Sequence, residues 1–234
     1  MNRYRSIDNI RGIAFLFMII HHIFYFYDVS NNFNTSYSKN IFVNSSGIIA
    51  RTLFILLAGV SLTFLNKKDK KDKKDKLKKR FKRSIEIGLH AMVITFITYL
   101  FYPKLFIRFG ILHFIALSTF ICSFIAPHKK LTILIFIISL IYTPPKINPI
   151  IDTITGSSTN FSMLDWFPLK SWISLLLFGI ILGYNKEKLE NLKNIKLLQN
   201  NNILTKIGQK SLEFYTIHVI LLIIIFNIKK KYLK

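Results

Sequence analysis

Apolar runs of membrane-helix length, set apart by short charged blocks, make up most of the chain. They predict seven spans, near residues 9–27, 47–65, 84–102, 106–126, 131–143, 167–184 and 211–228. The expected architecture is all-α, a polytopic membrane helix bundle of about seven transmembrane helices forming one domain over residues 1–234. The fifth span is the weakest. Its apolar core, 131–142, is about 12 residues against the roughly 20 a bilayer core asks for, so it must tilt, thin the bilayer or lean on neighbours. Pro144 and Pro145 end it, and 143–165, rich in Pro, Ser, Thr, Asn and Gly, is expected to be the longest non-helical stretch.

Composition agrees with a membrane solvent. Hydrophobic residues are 51% of the 234, with 22 Phe, whereas a soluble domain of this length needs charge spread over its whole surface. A net charge of +22 would also suit a nucleic-acid partner, but no groove-reading module is visible and none is expected. The basic blocks instead set an orientation. Residues 67–83 hold 12 Lys or Arg, the N-terminus adds Arg3, Arg5 and Arg11, and the connection after the sixth span adds Lys186, Lys188, Lys193 and Lys196. The alternate connections are poor in them: 28–46 has only Lys39 and 144–166 only Lys146. The N-terminus is therefore predicted cytoplasmic, in a multi-pass protein of the cell membrane. The tail Lys229-Lys230-Lys231 then ends outside, a feature the loop biases outweigh. The low-complexity run over 67–79 reads as a solvated, orientation-fixing loop able to attract anionic lipid heads or an anionic cytosolic cofactor. The single Cys122 excludes a disulfide framework within the chain, and the first helix, lacking a small-residue cleavage site, is expected to remain in the mature protein.

Ionisable groups at membrane depth narrow the chemistry. Arg11 and His22 are about three helical turns apart on one face, about 16 Å along the axis, and Asp8 precedes Arg11 by one turn on the same side. His21 points about 100° away and is expected to pack on a neighbour or a headgroup. A membrane histidine satisfied by a hydroxyl or carbonyl is as common as a functional one; the shared face with Arg11 tips His22 toward function. In the second span Ala58, Gly59 and Ser61 allow close helix approach, and Arg51 enters at the outer side. The fourth span has Arg108 near its outer boundary and His113 one to two turns deeper. Asp165 opens the sixth beside Trp166, a lone outer carboxylate able to pair with Arg51 or Arg108. In the last span Ser211, Tyr215 and His218 form one stripe. No metal-ligand spacing or phosphate-binding glycine loop is present, and no metal is expected.

Five blocks, RSIDNIRG at 5–12 followed by His22, FILLAGVS at 54–61, FGILH at 109–113, DWFPLKSWISLLLFGIILG at 165–183 and SLEFYTIH at 211–218, resemble the heparan-α-glucosaminide N-acetyltransferase catalytic-domain family. They come in the family's order and are most similar to its small prokaryotic-type members. Arg11-x10-His22 is also similar to the first-helix motif of the wider transmembrane acyltransferase superfamily, where that pair is linked to the reaction with acyl-coenzyme A. The resemblance implies an enzyme that takes acetyl from cytosolic acetyl-coenzyme A and delivers it to a hydroxyl or amine of a carbohydrate or glycolipid on the opposite face of the lipid bilayer. Arg11, with Asp8 and Ser211, is then expected to hold the donor, and His22 to be the general base. His113, His218, Tyr215 and Ser211 are expected to face the oxyanion or hold His22, and Arg51, Arg108 and Asp165 to meet the acceptor. One departure matters: the animal branch carries a catalytic histidine in its first non-cytoplasmic loop, and 28–46 has none. A proton-linked transporter and a non-catalytic scaffold are the competing readings, and homo-oligomerisation is left open.

Overall fold

The computed structural model describes residues 5–64, 73–158, 161–185 and 203–232. Arg3, the basic positions 67–72, and Lys186, Lys188, Lys193 and Lys196 lie outside the described residues, so their part in the charge pattern rests on sequence. The described chain is all-helical. Its helices are α1 (Arg5–Ser30), α2 (Ile41–Thr63), α3 (Lys73–Phe101), α4 (Ile111–Ile125), α5 (Lys129–Ile141), α6 (Pro149–Thr155), α7 (Leu169–Tyr184), α8 (Ile203–Gln209) and α9 (Ser211–Tyr232), with a 3-10 turn at Tyr37–Lys39. Four of them, α1, α2, α3 and α9, are long and apolar enough to cross a membrane. The helices α4, α5 and α7 have 15, 13 and 16 residues, about 20–24 Å each.

Two compact units make up the fold, Met1–Phe54 with Asn191–Lys234, and Ile55–Glu190. In the first, α1 packs on α8 and α9. A Cβ on Gly12 would strike the carbonyl of Leu204, and one on Gly208 the carbonyl of Asp8, so both glycines permit backbone contact between α1 and α8. Beside them Thr205 donates to Asn9 Oδ1 at 2.5 Å, both fully buried. An interhelical hydrogen bond in a bilayer stabilises by roughly 0.6–2 kcal/mol. At the far end of α1, buried Asp28 gathers the connection to α2, accepting from the Thr35 hydroxyl at 2.6 Å and the amides of Tyr37 and Ser38 at 3.1 and 2.8 Å.

In the second unit α3 and α4 run antiparallel, linked by Arg80 to Ser123, Ser84 to Ala116 and Thr95 to His113. The last turns of α2 lie on α7 with Gly59 against Leu176 and Gly179 against Leu56, the close approach expected of Gly59. On α5 the hydroxyl of Thr132 is 2.8 Å from that of Tyr184, which also donates to the Ala126 carbonyl at 2.8 Å.

Several boundaries depart from expectation, three of them in the second unit. Residues 73–83, expected in a loop, are the first turns of α3, because Lys, Arg and Leu favour helix and Asp75 suits the positive end of its dipole. The fourth helix begins at Ile111 rather than 106, and 102–110 pairs instead with 161–168. Leu164 N–H donates to the Leu105 carbonyl at 2.8 Å, and Phe167 N–H to that of Phe109 at 3.0 Å. Inside the stretch expected to be irregular, Asn148 accepts from the amides of Ile150 and Ile151 and Pro149 opens α6. Bonds from the Ile147 amide and from Ser157 and Ser158 hold the Asp152 carboxyl below its ordinary range.

Candidate functional site

The stripe expected on the last helix exists and meets the first. Nδ1 of His22 lies 2.8 Å from Nε2 of His218. The rings are 5.1 Å apart and 13° from parallel. Tyr215, one turn before His218 on α9, sets its ring edgewise to His22 at 5.8 Å. Phe26 does the same from α1 at 5.9 Å, and Phe15 closes on His218 at 5.2 Å and 89°. Both imidazoles therefore sit in an aromatic frame, Tyr215 and Phe15 being buried. Ser211, one turn before Tyr215, is buried on the same helix.

The hydrogen bonds order the protons. Nδ1 of His218 is 3.0 Å from the Phe214 carbonyl, which can only accept, so Nδ1 carries the hydrogen. In neutral His218 Nε2 is then the acceptor, and Nδ1 of His22 must donate to it. Neutral His22 is left with its lone pair on Nε2, and among the described residues no group bonds that atom.

His21 is turned elsewhere. Its Nδ1 donates to the Val43 carbonyl on α2 at 3.1 Å, and its ring rests where Gly47 has no side chain. The helix that carries Arg51 starts earlier than the expected 47. The helix begins at Ile41, so half-buried Arg51 lies about 15 Å along it. Toward the other end of α1, Arg11 meets Asp8 across one turn at 3.1 Å, Asp8 buried and Arg11 partly exposed. One continuous helix, α1, thus carries the carboxylate, the guanidinium and the imidazole.

The remaining candidates belong to the second unit. His113 has both ring nitrogens engaged, Nδ1 accepting from the Gly110 amide at 3.3 Å and Nε2 lying 3.1 Å from Thr95 Oγ1. The Thr95 hydroxyl donates to the Ile107 carbonyl at 2.7 Å, so Nε2 of His113 is the donor in that contact. Asp165 accepts from the Ile111 amide at 3.0 Å, capping α4. Arg108 precedes α4 instead of lying within it. Its guanidinium is stacked 4.0 Å from the Phe106 ring and 4.5 Å from that of Phe161, and it donates to the Ser162 carbonyl at 3.3 Å.

Sequence reasoning missed Phe15 and Phe26 as the walls of the histidine pair. Their positions, seven before and four after His22, are the helical signal that marks them.

The family model described as heparan-alpha-glucosaminide N-acetyltransferase, catalytic, matches residues 3–220. No curated protein and no solved structure matches the chain.

Proposed function

The chain belongs to the heparan-alpha-glucosaminide N-acetyltransferase catalytic family, and on that premise we propose that it is a membrane-embedded acetyltransferase. Its donor is cytosolic acetyl-coenzyme A, and its acceptor is a hydroxyl or amine of a sugar or glycolipid on the opposite membrane face. The His22–His218 hydrogen bond carries this reading. It supports a base with a defined tautomer on the same helix as a guanidinium suited to phosphate.

Arg11, oriented by Asp8, recognises a phosphate of the donor, with Ser211 our further candidate for that role. About three turns along α1, Nε2 of His22 takes the proton of the acceptor as its oxygen or nitrogen attacks the thioester carbonyl. The carbon–sulfur bond then breaks, and the departing thiolate receives that proton from the imidazolium. While His22 is charged, its Nδ1–H bond to neutral His218 becomes charge-assisted and stronger. Tyr215 and Phe15 hold the two rings in register. For the acceptor our candidates are Arg51, Arg108 and Asp165.

We count seven crossings, α1 to α5, α7 and α9, in the cell membrane with a cytoplasmic N-terminus. For the short α4 and α7, we take the paired segments 102–110 and 161–168 to lengthen each crossing, since two backbone hydrogen bonds join them to each other.

The test is acetyl transfer by the purified chain in lipid nanodiscs, supplied with acetyl-coenzyme A labelled in the acetyl group and a membrane lipid and glycan extract. Label in a lipid or glycan, gaining the mass of one acetyl group, is the expected result. Labelled product that forms equally without the protein would refute the proposal, as would none forming from any extract.

A further inference from the structure

The outward edge of α3 has a pattern that acetyl transfer does not use. Lys78, Lys82, Ile85, Leu89, Met92 and Phe96 are spaced alternately by four and three, so they form one straight stripe along the helix. Every one of them is exposed, Ile85 at 61%, Leu89 at 64% and Phe96 at 61%. The opposite edge, with Arg80, Ser84, Ile87, Ala91, Ile94 and Thr98, is buried. The stripe changes abruptly from cations to hydrocarbon between Lys82 and Ile85.

Arg80 sets the level of that change. It donates to the carbonyls of Leu62 and Ser123, in the last turns of α2 and α4, at 2.9 and 3.1 Å. The cationic turn of α3 is therefore level with the ends of its neighbours, and the residues before Arg80 project about 10 Å beyond them. That reach suits the headgroup layer, while Ile85 to Phe96 lie at hydrocarbon depth. The nearby acidic groups leave the balance positive: Asp75 is one turn from Lys78, with Lys74 and Lys79 beside it, and Glu86 is paired with Arg83 at 3.0 Å.

We infer that this edge of α3 is a docking site for an anionic phospholipid, its acyl chains lying along Ile85, Leu89, Met92 and Phe96 and its phosphate held by Lys78 and Lys82. A zwitterionic lipid would satisfy the hydrocarbon half of the stripe equally well, so the lysines are what select. Each lysine near an anionic headgroup contributes about a fivefold change in binding.

The full chain, purified in detergent, is titrated with phosphatidylglycerol and with phosphatidylcholine of the same acyl chains, and retained lipid is measured by native mass spectrometry. The wild type should prefer phosphatidylglycerol, and added salt should erode the preference. The double variant Lys78→Gln/Lys82→Gln should lose about 25-fold of it. Lys104→Gln/Lys146→Gln, which changes exposed lysines outside the stripe, should keep it. Equal retention of the two lipids, or an unchanged preference in the double variant, overturns the inference. So does full competition by soluble glycerol phosphate, which would make the site one for free anions.

Discussion

His22 and His218, on the first and last described membrane-length helices, share one 2.8 Å hydrogen bond between nearly parallel rings. The Phe214 carbonyl beyond it fixes the direction of the bond, so the proton order follows from geometry without any reference to a ligand. If Nε2 of His22 is the base, His22→Ala should lower acetyl transfer by about 10²–10⁴-fold and leave donor binding nearly intact. His21→Ala should lose far less, because its Nδ1 is committed to Val43 on another face of α1. Transfer rates and donor affinities of the two variants, measured side by side, check this. Equal losses from both would defeat the assignment.

His218 is expected to act through His22. His218→Leu removes the acceptor for Nδ1–H and should reduce transfer roughly 10- to 100-fold, the worth of a hydrogen bond to a charged group. His218→Gln, whose side-chain carbonyl can accept in its place, should recover much of that loss. Nitrogen NMR of histidine-labelled protein gives a readout independent of turnover: His22 should be protonated at Nδ1 in the wild type and lose that preference in His218→Leu. A wild-type His22 protonated at Nε2 would contradict the proton order.

Arg11→Ala should weaken acetyl-coenzyme A binding, most visibly at low ionic strength, where an attraction between charges is least screened. Because Asp8 would be left buried without the Arg11 guanidinium, some loss of stability should accompany it. Desalted coenzyme A, lacking the acetyl group, should show the same loss in calorimetry. An unchanged affinity for both removes Arg11 from the donor site.

Hydropathy made the membrane class and most helices legible, because lipid-facing and core-facing residues are both apolar and runs survive any packing arrangement. It failed where a boundary depends on distant partners. The start of α4 is set by Asp165, 54 residues away, and by the His113 ring, which no local pattern reveals. The first turns of α3 read as loop because charge density hides helix propensity, and within that run Arg80 looks the same as Lys78. Only the fold distinguishes them, burying one and exposing the other. The stripe Ser211, Tyr215, His218 was legible at helical spacing, whereas its pairing with His22 spans 196 residues and required the structure.

His113 is predicted to act on the fold. Both its nitrogens serve the Gly110–Thr95 corner, so His113→Ala leaves the buried Gly110 amide without its acceptor, while the Thr95 hydroxyl keeps its bond to Ile107, at a cost of about 1–3 kcal/mol. Thermal unfolding in detergent should shift down accordingly. Transfer per folded molecule should fall much less than in His22→Ala. A variant of wild-type stability that has lost activity as fully as His22→Ala would return His113 to the chemistry.

Arg80 is the strongest test of the second unit, because one buried side chain meets the closing turns of two helices. Its guanidinium donates to Leu62 on α2 and Ser123 on α4, carbonyls at the negative ends of those helices. Arg80→Met keeps most of the hydrocarbon and removes every donor, so it separates hydrogen bonding from packing. The loss should be roughly 2–4 kcal/mol, larger than for an exposed arginine, since water reaches these carbonyls poorly. Arg80→Lys should recover only part of it: an ammonium keeps the charge but lacks the planar fork that spans two carbonyls at once. Lys82→Met, two residues on and exposed, should change stability little. Chemical unfolding of the three variants in matched detergent decides the matter, and an Arg80→Met protein as stable as the wild type would show that the two helix ends do not depend on this residue.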